Sequence, residues 1–103
     1  MSYIDELREI IHKLHGATAT HVESVPVTEM FNGQTIWDGI VEVFDLHGHP
    51  GTHRVYAWSH ETDDPDNPKR HVTVLHIPPV VSPITAVRAA IVQEYRSNAS
   101  AEA

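Results

Sequence analysis

Nine of the 103 residues are histidine and none is cysteine. Side-chain chemistry in this chain therefore rests on imidazole, carboxylate and hydroxyl groups. Thiolate zinc sites, iron–sulfur clusters, disulfide scaffolds and cysteine nucleophiles are excluded. The densest polar run is Asp45-Leu-His47-Gly-His49-Pro-Gly-Thr-His53. Imidazoles and a carboxylate at such short spacing suit zinc, nickel or copper, and a turn can bring three ligands to one point. Asp45, His47, His49 and His53 are thus the candidate metal ligands. The spacing matches no established zinc signature, and Gly and Pro there also serve turn geometry, so solvated turn histidines are the competing reading.

Two further polar residues interrupt apolar runs, Glu42 and His76. Buried together, a carboxylate and an imidazole would form an acid–base pair whose protonation each tunes in the other. Ser59 and His60 are sequence neighbours that a strand would point to opposite faces, which argues against a shared nucleophilic site. His60 and His71 are expected to face each other at the base of an acidic loop. Asp63, Asp64 and Asp66 in that loop lack the glycine and distal glutamate of an EF-hand. No G-x-S-x-G, P-loop or G-x-G-x-x-G is present. No catalytic residue and no cofactor are assigned.

The elements that position these groups follow from periodicity. Ile4, Leu7, Ile11 and Leu14 recur at helical spacing, with Ser2 at the N-cap and Gly16 just past the end; a helix is predicted over 3–15. From Thr18 to Pro78 β-branched residues dominate and the period changes to two. Strands are expected over 18–31, 34–46, 52–59 and 71–77. Asn32-Gly33 gives the first hairpin, and Pro26 confines the first strand to a sheet edge or a bulge. Ser82-Pro83 opens a second helix over about 83–96, and residues 97–103 are expected to form a disordered tail. The fold class is then α+β, one domain over 1–96 with order α-β-β-β-β-α. Short connections favour a four-stranded antiparallel meander, with the two helices side by side on one face.

The second sheet face carries the functional expectation. Large residues recur on one parity of the third and fourth strands (Tyr56, Trp58, Leu75) and small ones on the other (Val55, Ala57, Val72, Val74). With the helices assigned to the small side, Tyr56, Trp58 and Leu75 form an exposed face that Trp37 could join. So large an aromatic patch on a small domain suggests a partner surface. The alternative is a helix on each face, both faces then being core.

Seven Lys and Arg against fourteen Asp and Glu give a net charge of −7. A chain so acidic repels nucleic acid and anionic membrane surfaces. The start carries no basic and apolar leader pattern, which with the missing cysteine suits a cytoplasmic protein. The order helix, antiparallel strands, helix is loosely similar to a double-stranded-RNA-binding domain. The resemblance is topological only: it departs at the fourth strand and at Ser82-Pro83-Ile84-Thr85, where a Lys-rich helix start would stand, so no RNA-binding residue carries over. The expected function is a non-catalytic, homodimeric interaction module associating through Trp37, Tyr56, Trp58 and Leu75. Its rival is a small ligand- or metal-binding protein, or enzyme, built on His and carboxylate groups.

Overall fold

The computed structural model describes the backbone of residues 2–102 and the side chains of residues 2–94. Its elements are α1 (Tyr3–His15), β1 (Thr18–Phe31), β2 (Gln34–His47), β3 (Arg54–Glu61), β4 (Lys69–Leu75) and α2 (Pro83–Glu102). The strands form one antiparallel sheet in the order β1-β2-β3-β4. The expected order and meander are both present.

Local chemistry sets the element ends. The Asp5 N–H donates to Ser2 Oγ at 3.2 Å, which starts α1. Gly16 stops it in the left-handed region at φ 65°, its N–H donating to the His12 carbonyl. Asn32 and Gly33 both have positive φ, 52° and 76°, the pattern of a type I′ turn whose twist matches its flanking strands. β1 is an edge strand, as Pro26 requires, and it is bulged. Val22 is the extra residue between the pairs His21–Phe44 and Glu23–Val43. A second shift leaves Ile36 of β2 extra between the pairs of Trp37 and Thr35.

The hairpin of β1 and β2 outreaches the rest of the sheet. Only Glu42 to Asp45 of β2 pair with β3, opposite Arg54 to Ala57. Residues 34–41 of β2, with their β1 partners, continue as a two-stranded arm. The Ser59 N–H, on the side of β3 that faces away from β4, donates instead to the Tyr3 hydroxyl at 2.9 Å.

The register divides the core in two. Phe44 pairs with Val55 and Glu42 with Ala57, so these residues share one face. Leu7 and Ile11 of α1 close over Phe44, Leu46, Val55 and Ala57 there. Val43 pairs with Tyr56, Tyr56 with Val74 and Trp58 with Val72, all on the opposite face. Ala86 and Val87 of α2 pack there on Val41, Val43, Tyr56 and Trp58. The helices therefore cover opposite faces and do not lie side by side on one. The expected grouping of Val72 and Val74 with Val55 and Ala57 fails because the seven-residue connection 62–68 sets a register that pairs like parities of β3 and β4, which sequence does not reveal.

Size complementarity accounts for the arrangement. The large side chains of α1 sit above Ala19, Val55 and Ala57, while the small side chains of α2 approach the aromatic face. Each layer fills the space the other leaves, as dense interior packing requires. Trp37 lies on the α2 face with its ring 5.5 Å from that of Trp58. A Cβ at Gly39 would meet the Trp37 ring at 3.1 Å, so glycine lets the indole lie flat on the strand. α2 continues to Glu102, past the expected end near residue 96. The side chains of residues 97–103, the expected disordered tail, lie outside the described residues.

Candidate interaction site

The polar residues singled out by sequence separate. Asp45 accepts from Arg54 at 3.4 Å. His49 Nδ1 accepts the Gly51 N–H at 2.9 Å, and the His49 ring stands edge-on to His15, with centroids 6.4 Å apart. His47 and His53 are exposed. Among the described residues no three His, Asp or Glu side chains are placed to hold a metal ion, so the four candidate ligands do not converge. His15, at the end of α1, shares a hydrogen bond with the Thr73 hydroxyl at 2.8 Å. Burial, and then the neighbouring His49, hold its pKa below the usual imidazole value.

Glu42 and His76 do not meet either. Glu42 lies on the α1 face, 5% exposed. It accepts from the Ser24 hydroxyl, and His21 Nε2 stands 3.0 Å from the same oxygen, Oε1. His76 lies by the α2 face, its Nδ1 2.7 Å from the Tyr56 hydroxyl. His60 and His71 also fail to face each other: His60 pairs with Arg70, and His71, opposite Ser59, contacts Glu6 at 2.6 Å. Sequence reasoning missed His21 and Ser24 as the partners of Glu42. Both precede or follow the bulge at Val22, which changes the parity that would have announced them.

The four interface candidates form no exposed face. Tyr56 and Trp58 are 1% and 3% exposed beneath α2, and Leu75, paired with Val55, packs on the α1 side. Three of them nevertheless line one furrow: Trp37, Trp58 and Leu75 border a cavity of about 530 Å³ that follows β4.

That furrow is built by the unequal treatment of the two sheet edges. The β1 edge carries Pro26 and the bulge at Val22, two devices that discourage pairing with another strand. β4 has neither. Its residues Arg70, Val72, Thr73, Val74 and Leu75 line the furrow, with Ala89, Ala90 and Gln93 of α2 and His15 of α1 as walls. The small Ala89 and Ala90 leave the strand accessible. At the other end of β4, Lys69, Arg70 and His71 line a second hollow with Ile10, Lys13 and Leu14 of α1.

The direction of the free backbone groups follows from the ladder. The His76 N–H donates to the Arg54 carbonyl at 3.0 Å and the Thr62 N–H to the Pro68 carbonyl at 3.0 Å. Even-numbered positions thus face β3, and by alternation Lys69, His71, Thr73 and Leu75 turn their N–H groups outward. Polar contacts tie this strand to both helices: His71 and Lys69 to Glu6, at 2.6 and 3.9 Å, and Arg70 to Glu94 at 3.9 Å. No described helix is long and apolar enough to cross a membrane. Comparisons with family models, with curated proteins and with solved structures find no match to this chain.

Proposed function

We propose that this protein is an interaction module that self-associates by strand addition along the open edge of β4. The observation that carries the reading is the contrast between a guarded β1 edge and an unguarded β4 edge lying in a furrow between two helices. Strand addition draws its affinity from main-chain hydrogen bonds and its selectivity from alternate side-chain sites. A second copy fits the edge. In an antiparallel two-fold register centred on Val72, His71 of one copy meets Thr73 of the other, and Lys69 and Arg70 face Leu75 and Val74. No like charges stand opposite each other on the strand, and the interface is self-complementary, as a two-fold dimer requires. The furrow also holds Trp37, Trp58 and Leu75 close to the joint. The cysteine-free sequence supports a reducing compartment such as the cytoplasm.

Thr73→Pro tests the reading, because it removes an outward N–H while leaving the β3 ladder intact. Sedimentation equilibrium of the native protein should give twice the 11.5 kDa of one chain, and the variant one chain mass. Amide exchange supplies a second readout that needs no variant. Protection of His71, Thr73 and Leu75 should rise with protein concentration. A monomer at all concentrations, or a dimer that Thr73→Pro leaves whole, would sink the proposal.

A further inference from the structure

Another hollow, of about 430 Å³, lies at the β2–β3 turn, away from the furrow. It is lined by Asp45, Gly51, Thr52, His53, Arg54 and His76. Its walls are fixed from beneath. Thr52 is buried, and its hydroxyl donates to the His76 carbonyl at 2.6 Å, tying the turn to the chain beyond β4. The buried Tyr56 hydroxyl, 2.7 Å from His76 Nδ1, orients the imidazole. Burial raises the Tyr56 pKa, Arg54 beside it partly opposes the shift, and Glu23 adds to it. The Tyr56 contact engages His76 Nδ1 and leaves Nε2 as the other ring nitrogen of a residue that lines the hollow.

Arg54 contributes a guanidinium with five N–H donors. It meets Asp45 at 3.4 Å, in a pair where both side chains are nearly half exposed, and it also lies beside the Tyr56 hydroxyl. His53, exposed on the same wall, adds a third donor group. Asp45 is the only carboxylate among the lining residues, and it already answers Arg54. One guanidinium and two imidazoles thus share this hollow with a single carboxylate, inside a chain whose net charge is −7.

We infer that this hollow binds a small oxyanion, a carboxylate or a phosphate group, between the Arg54 guanidinium and the His76 imidazole, with Asp45 as the internal competitor the ligand displaces. Bidentate capture by arginine gives such groups charge-assisted hydrogen bonds roughly twice as strong as neutral ones, with matching geometry. The inference is independent of self-association at β4, which involves neither Arg54 nor Asp45.

The test is amide NMR titration of the full chain with inorganic phosphate and, separately, with acetate, at constant ionic strength. Saturable shifts are expected at Gly51 to Arg54 and His76. Arg54→Gln should weaken binding by about tenfold or more, as loss of a charge-assisted bidentate contact implies. Asp45→Asn, at a half-exposed position, should tighten it several-fold by removing the competitor, and this second variant keeps the test decisive if Arg54→Gln folds poorly. Saturation by phosphate alone, by acetate alone or by both identifies the anion class and supports the inference. Absence of saturation by either anion overturns it. So do shifts centred on Lys69 and Arg70, or an affinity that Asp45→Asn leaves unchanged or lowers.

Discussion

The buried carboxylate of Glu42 shows how single residues are held in this fold. One oxygen accepts from the Ser24 hydroxyl and stands 3.0 Å from His21 Nε2, and the His21 ring leans edge-on against Phe44, 5.4 Å between centroids. Glu42→Met should cost about 1–3 kcal/mol in urea unfolding, the range for leaving polar partners without their acceptor. Tyr56 gives a pH signature. Its folded pKa lies above the unfolded value of 10, so its contribution is complete below pH 10 and is lost as pH rises through the folded value, where the unfolded chain has already released the proton. Tyr56→Phe should flatten the alkaline loss of stability, read from denaturation midpoints between about pH 9 and 11. Sequence announced Glu42 as anomalous and stopped there. Its partners sit on a different strand across a bulge, and no spacing along one chain segment encodes that.

At the level of elements, boundaries were legible wherever a local rule decides them. Ser2, Gly16, Asn32-Gly33 and Ser82-Pro83 each act through backbone groups within a few residues. The choice of face was not legible, because parity along β3 and β4 says which residues go together within a strand and nothing about how two strands align across the 62–68 loop. One register step would exchange Val72 and Val74 for Thr73 and Leu75 on the aromatic side. The same dependence makes Gly39 informative. Gly39→Ala forces its Cβ to 3.1 Å from the Trp37 ring and should cost about 1–3 kcal/mol, the range for overpacking. Tryptophan fluorescence should shift to longer wavelength as Trp37 is pushed from Trp58, and an unchanged emission with unchanged stability would show that the indole yields freely.

For the whole molecule, charge opposes association. A net charge of −7 per copy makes two copies repel, so raising salt should strengthen the proposed β4 dimer by screening. Sedimentation equilibrium at low and high ionic strength reads this directly; weakening with salt would point to an interface made of ion pairs. Protonation of the nine histidines removes the excess negative charge, and with a pI of about 5.6 turbidity should peak between about pH 5 and 6.

The sheet is a meander in which every neighbour in space is also the next strand in sequence, so its loops close at little entropic cost. The helices dock differently, each as a separate lid from one end of the chain. If α2 lifts, Tyr56 and Trp58 are bared together, a contiguous aromatic surface sized for an Ala-rich helix. The nearest helix of that shape belongs either to the same chain or to another copy. An opened molecule can therefore trade α2 with a second opened molecule at no loss of native contacts. Crowded refolding would then leave some of the protein as exchanged pairs that separate only as slowly as the lid reopens.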